Sequence, residues 1–331
     1  MEHRRLGRTG VRLSILGFGC GAVGGLMVRG APADQERAVA RALEHGISYF
    51  DTAPAYGDGA SEENFGRVLR SLKPHIFLST KFTIRPEDRG RFAEAVTASL
   101  ERSLKRLGRE QIELLQLHNR IARDGDDRPL EPEIVIAELS PVLEHLKRQG
   151  KIRYCGITAL GDTPALHKVV DSHLFDTAQI CYNLLNPSAA TALPPGFPAQ
   201  DFQGLASRAH AAQMGTIGIR ILAGGALSGS ETRHPIGVPS VDPIASGPDY
   251  RSDVARARRF EALVQAGHAG TLVEAALRFV ISSDAMTTVL VGTSTLNQLE
   301  TAVDAIEKGP LPPEALDQIG ALWREMAAAK A

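Results

Sequence analysis

Cysteine is scarce in this chain of 331 residues: Cys20, Cys155 and Cys181 are the only three. An odd, sparse count builds no disulfide framework and suits reduced thiols in a cytoplasmic protein. Cys155 and Cys181 sit inside apolar, strand-like runs, so buried and inert thiols are expected. Net charge is also missing. Lys plus Arg number 37 and Asp plus Glu 38, a formal charge of −1. That balance gives no signal for a nucleic acid or an anionic membrane as partner. No apolar run approaches the roughly 20 residues that a spanning helix needs. The start, "MEHRRLGRTG", is polar and has no apolar secretory core behind it. Aromatics make up 5% of the chain, with Trp323 the single tryptophan. So few rings do not suggest a pocket for steroids or other large hydrophobes. What is present is ordinary for a globular enzyme, with 43% apolar residues.

Strand and helix alternate almost throughout. "HRRL" and "VRLS", joined by "GRTG", read as an N-terminal hairpin. Eight buried strands then follow: "ILGFG", "SYFDT", "IFLSTK", "IELLQLH", "RYCGIT", "TAQICYN", "TIGIRIL" and "TTVLVGT". Amphipathic helices are predicted over 34–45 with Asp34 as cap, 61–72 opened by Ser61, 88–107, 133–149, from Thr163, 201–213 and 295–307. Apolar strands separated by such helices imply a parallel sheet buried on both faces. Eight units in about 300 residues match a closed (β/α)₈ TIM barrel, here one domain over residues 1–331 with a helical extension from Leu311. The rival is an open doubly wound sheet. "GFGCGAVGG" at 17–25 has the glycines of a dinucleotide fingerprint, but no helix follows directly, so it reads as a loop. Two long loops, 119–131 and 222–252, fall on the face where barrels carry their chemistry.

Asp51, Tyr56, Lys81 and His118 each lie at or just beyond a predicted strand end, in "YFDTAPAYGDG", "FLSTKF" and "LLQLHN". Those ends converge in a barrel. A free phenol, with a pKa of about 10, is a poor proton exchanger at neutral pH. A nearby ammonium lowers that value by stabilising the phenolate. Lys81 can act so on Tyr56, Asp51 can pair with Lys81, and His118 can hydrogen-bond a substrate oxygen. Each residue alone has an unremarkable reading as packing aromatic, cap, solvated strand end or core imidazole. Together, at successive strand ends, they form a proton-transfer cluster.

The chain resembles the aldo-keto reductases over nearly its whole length. The resemblance is carried by "GISYFDTAPAYGDGASEENFGRVL" (46–69), "STK" (79–81), "LLQLH" (114–118), "GKIRYCGIT" (150–158), "QICYNLLN" (179–186) and "VGTSTLNQLE" (291–300). It implies hydride transfer between a nicotinamide nucleotide and an aldehyde or ketone, or the corresponding alcohol, with Tyr56 as general acid or base. It implies no metal. On the cofactor it implies that Tyr182 stacks on the nicotinamide, that Gln179 holds the carboxamide and that Thr158 assists. At this last place the family's Ser-Asn pair is Thr158-Ala159. "ILAGGALSG" (221–229), with Leu222 and Gly224, resembles the segment around the pyrophosphate. Gly292, Thr293 and Ser294 match the phosphate site, and Gln298 matches an adenine contact. Arg220, at the end of the seventh strand, is a candidate charge near the cofactor, the alternative being a structural ion pair. NADP(H) is expected first. NAD(H) or dual use gains weight because positions 293–295 are Thr, Ser and Thr where relatives often carry Lys or Arg. Val23, Met27, Phe82 and Asn119 are expected around the substrate, a small carbonyl or sugar. The alternatives are a sugar dehydrogenase working oxidatively, a non-catalytic nucleotide-binding redox sensor and a Schiff-base aldolase using Lys81. Oligomeric state is not legible.

Overall fold

A computed structural model describes residues 1–123 and 129–329. Among the described residues there are ten strands. β1 (His3–Arg5) and β2 (Arg12–Ser14) pair antiparallel as a hairpin. The others are β3 (Leu16–Gly19), β4 (Tyr49–Asp51), β5 (Phe77–Phe82), β6 (Ile112–Leu117), β7 (Ile152–Thr158), β8 (Thr177–Cys181), β9 (Gly215–Ile219) and β10 (Thr288–Gly292). They form a closed parallel barrel in chain order, with β10 returning to β3. The expected (β/α)₈ barrel with its N-terminal hairpin is therefore present.

The helices form where apolar residues recur on one face. Ala60–Leu72 buries Phe65, Val68 and Leu69, and Phe92–Leu107 buries Val96, Leu100, Leu104 and Leu107. Gly108 stops the second helix at φ 64°, a left-handed conformation that costs glycine little. Boundaries shift from the sequence expectation at several helices. Pro32 opens the first long helix behind Ala31, so Asp34 lies in its first turn and is not the cap. Ser61 likewise caps nothing, since its hydroxyl donates to Cys20 O at 2.8 Å. The expected 201–213 helix is shorter, Leu205–Ala211. The glycine string 17–25 is strand and loop, followed by one helical turn, Leu26–Arg29.

The bottom of the barrel is plugged by Tyr49, Phe77, Leu114, Ile217 and Leu290, with Leu6 and Leu13 of the hairpin beneath them. This filling leaves the C-terminal ends of the strands as the open face. The C-terminal helix Pro313–Ala328 covers the outside, where Trp323 Nε1 donates to Leu184 O at 2.9 Å. All three cysteines are free and buried. Burial pushes the Cys155 and Cys181 thiols up to about 12, so neither forms a thiolate at neutral pH. Among the described residues no helix is long and apolar enough to cross a membrane.

Candidate active site

Successive residues of a strand point to opposite faces, so every second residue enters the barrel. Asp51 ends β4, Lys81 lies next to the end of β5, and His118 directly follows β6. Their side chains meet at the open end with Tyr56, which hangs from the loop after β4. Lys81 is 1% exposed. Its three N–H groups are all engaged: Asp51 Oδ2 at 2.5 Å, Thr52 O at 2.9 Å and Tyr56 Oη at 3.0 Å. An ammonium so saturated stays charged: burial would lower its pKa, but Asp51 and Tyr56 together outweigh it and the pKa is raised.

The sequence reading did not find what holds Asp51. Its Oδ1 accepts from Ser79 Oγ at 2.7 Å, Gln179 Nε2 at 2.7 Å, Gln116 Nε2 at 3.3 Å and Tyr49 Oη at 3.4 Å. Tyr49, Ser79 and Gln116 each precede a cluster residue by two positions. Period-two facing was the signal that could have found them.

Tyr56 is half-buried, and its ring meets the His118 ring edge-on with centroids 5.7 Å apart. The phenol departs from the sequence expectation. Burial raises its pKa above the usual value, and Lys81 offsets this only in part. The group is therefore a protonated donor at neutral pH. His118 moves the other way, lowered to about 3 by burial and then by the Lys81 charge. Its imidazole is neutral across the physiological range.

From this cluster a cavity of about 470 Å³ runs along the strand ends to the start of the helix Leu296–Glu307. Val23, Thr158, Gln179, Arg220, Leu222, Gly224, Gly292, Thr293, Ser294 and Gln298 all line it. Four of the expected cofactor and substrate residues do not, and Lys81 sits behind the lining. Tyr182 is buried and stacks on Phe279 at 5.1 Å, which in turn meets Trp323, so its expected stacking role is corrected to core packing. Met27 and Phe82 are each 1% exposed and belong to the core. The Asn119 amide is spent on Ile84, accepting from its N–H and donating to its O, both at 2.8 Å. Ala22, Val23, Leu160 and Ile244 are among the aliphatic residues that line the cavity instead.

The loop after β9 crosses this cavity. Arg29 Nε donates to Ile236 O at 2.6 Å, and Val238 N donates to Val23 O at 3.3 Å, tying it to the loop after β3. Of the other long loop, 119–131, residues 124–128 lie outside the described residues.

A closed barrel with a Tyr–Lys–Asp–His cluster at its open end, continuous with a long cavity, places a proton donor beside room for a small molecule. The chain belongs to the aldo/keto reductase family, whose model matches residues 15–324. It is 27% identical to L-galactose dehydrogenase of Arabidopsis thaliana over 97% of this chain and 94% of that one. It is 28% identical to L-glyceraldehyde 3-phosphate reductase of Escherichia coli O157:H7 over 96% and 91% of the two chains. The solved holo form of aldo-keto reductase AKR11C1 from Bacillus halodurans shares the fold, with a TM-score of 0.72 at 24% identity over 97% of this chain and 96% of that one. The protein is an NAD(P)H-dependent oxidoreductase.

The residues present fit a nicotinamide nucleotide. Thr158 Oγ1 and Thr293 Oγ1 are buried, line the cavity and have no hydrogen-bond partner, one near each end. Such orphaned hydroxyls call for a polar ligand. At the far end Gly24 packs so closely that a Cβ would come within 2.7 Å of Thr293 N. Thr295 caps the following helix by accepting from Gln298 N at 3.2 Å. A helix N-terminus of this kind suits a phosphate.

Proposed function

We propose that Tyr56 is the general acid of a carbonyl reduction, and the general base of the reverse reaction. The observation that carries this is the Lys81 Nζ to Tyr56 Oη hydrogen bond of 3.0 Å, made by an ammonium that Asp51 and Thr52 O hold in place. The nicotinamide nucleotide, when bound, supplies the hydride to the carbonyl carbon or takes it up from the alcohol. Tyr56 Oη gives its proton to the carbonyl oxygen. The phenolate left behind is stabilised by Lys81, whose charge Asp51 maintains. His118, neutral, orients that oxygen by hydrogen bonding and does not compete as the acid. Positioned proton transfer of this kind contributes about 10²–10⁴ in rate.

Gln179 and Thr158 serve the carboxamide end of the cofactor. Leu222, Gly224 and Arg220 line its middle, and Gly292, Thr293, Ser294 and Gln298 its phosphate and adenine end. Residues 292–302 contain no Lys or Arg. A 2′-phosphate there depends on hydroxyls and the helix N-terminus, so NADP(H) is read first with NAD(H) or dual use beside it. The substrate is a small aldehyde, ketone or sugar, in keeping with the small aliphatic wall of Ala22, Val23, Leu160 and Ile244. The relative named as L-galactose dehydrogenase favours a second reading, a sugar oxidised at its hydroxyl. A Schiff-base role for Lys81 is disfavoured, because it needs a neutral amine and this one is saturated by three acceptors. The test is Tyr56→Phe. Turnover should fall at least 10²-fold while cofactor affinity stays within about twofold of wild type. Turnover that persists would assign the acid elsewhere.

A further inference from the structure

Among the described residues that line the cavity, Asp51 is the only carboxylate, and Lys81 already neutralises it. Two guanidiniums line the same cavity. Arg233 gives its N–H groups to backbone carbonyls, Val238 O at 2.7 Å, Gly224 O at 2.6 Å and Val23 O at 3.3 Å, and covers the Tyr250 ring. Arg220 follows β9 directly, with φ 54°. Its side chain donates to Asp242 O at 3.3 Å, and among the described residues no carboxylate comes within 4 Å of it. The Asp242 side chain is on an exposed residue. Burial lowers the Arg220 pKa, and its charge is close enough to Tyr56 for the two groups to interact. Arg220 thus has no carboxylate in contact, the Asp242 side chain acting on it only from a distance, and of the two cavity guanidiniums it is the one whose charge interacts with the proton donor.

We propose that Arg220 makes this cavity selective for the redox state of its nucleotide, favouring the neutral reduced nicotinamide over the cationic oxidised one. The inference rests on the reading that the cavity takes such a nucleotide. The two forms carry the same phosphates and adenine, so Arg220 attracts those parts of both equally. They differ by one positive charge on the ring that must react beside Tyr56. At about 10 Å and an effective dielectric of about 20, one unit charge against another disfavours binding roughly tenfold. Asp51 cannot offset this, since its charge is matched by Lys81. Tenfold tighter binding of the reduced form raises the potential of the bound couple by about 30 mV. The bound nucleotide then becomes a weaker hydride donor than the free one. In return, the oxidised product leaves readily after a reduction.

The test is calorimetric titration of the full chain with reduced and oxidised nucleotide, phosphorylated and not, for wild type, Arg220→Asn and Arg220→Lys. Asparagine tolerates the left-handed backbone at this position, and Trp323 fluorescence checks that each variant is folded. Wild type should bind the reduced form about tenfold more tightly. Arg220→Asn should bring that ratio down by about tenfold, and Arg220→Lys should keep most of it. Equal weakening of both forms in Arg220→Asn would make Arg220 a phosphate contact and overturn the proposal, as would an unchanged ratio. If wild type binds neither form, the nucleotide reading itself fails and the inference falls with it.

Discussion

His118 ties the electrostatics of the site to a measurable stability. Its imidazole is held neutral, with the folded value lowered to about 3 from an ordinary 6.5. A group that resists protonation when folded contributes full stability above its unfolded pKa. That stability is lost as the pH falls through 6.5 toward 3, because only the unfolded chain takes up the proton. At pH 5.0 the unfolded imidazole is 1.5 units below its pKa and the folded one is still neutral. At about 1.4 kcal/mol per unit, the loss between pH 7.5 and pH 5.0 is roughly 2 kcal/mol. Because pH 5.0 lies well above the folded pKa, this figure depends almost wholly on the unfolded one. The perturbation is His118→Gln, which keeps a polar amide and removes the titration. Urea unfolding followed by the fluorescence of Trp323, the only tryptophan and 6% exposed, reads the stability at both pH values. Other carboxylates and imidazoles titrate alike in both proteins and cancel in the comparison. Wild type should therefore lose about 2 kcal/mol more than the variant on acidification. An equal loss in the two proteins would mean that His118 takes up its proton as readily in the folded state as in the unfolded one. It would then rival Tyr56 as the acid, and the proposed division of roles would be wrong.

The same contrast predicts the state of Tyr56. Since burial outweighs Lys81, the difference in phenolate absorbance between wild type and Tyr56→Phe should appear only at higher pH than the phenolate of a free tyrosine. A phenolate signal by pH 8 would restore the lowered pKa expected from the sequence. The buried shell around Asp51 predicts a positioning effect. Ser79→Ala removes the 2.7 Å donor to Oδ1 and should lower kcat about tenfold with KM nearly unchanged, the cost of a lost charge-assisted hydrogen bond being about 1.5–3 kcal/mol at most. A rise in KM with kcat intact would instead place Ser79 in substrate binding.

The sequence determined a good deal by itself. Eight apolar strands separated by amphipathic helices can bury a parallel sheet on both faces in few ways, and the closed barrel is one. Once it closes, Asp51, Lys81 and His118 must share one end, because strand ends converge there whatever the loops do. The placement of the Thr293-Ser294-Thr295 run was legible for a similar reason: it lies between a strand and a helix, which is local structure. Two helices, Tyr250–Ala257 and Leu272–Ile281, were not legible. The second is apolar nearly all round, so it lacks the polar face that marks a helix in sequence.

Side-chain direction near the strand ends was decided by tertiary packing. Tyr182 turns to Phe279, Asn119 is claimed by Ile84, and Met27 and Phe82 enter the core. Tyr182, Asn119 and Met27 lie outside the strands, where alternation no longer says which way a residue points, whereas Phe82 ends β5 next to Lys81 and alternation itself turns it away from the site. The pKa of Tyr56 was also beyond the sequence. An ammonium at 3.0 Å predicts a lower value, whereas burial, which no string of letters records, sets the higher one. Residue types and order fixed which groups meet. Only the packed barrel decided how deeply each is buried, and so which holds its proton.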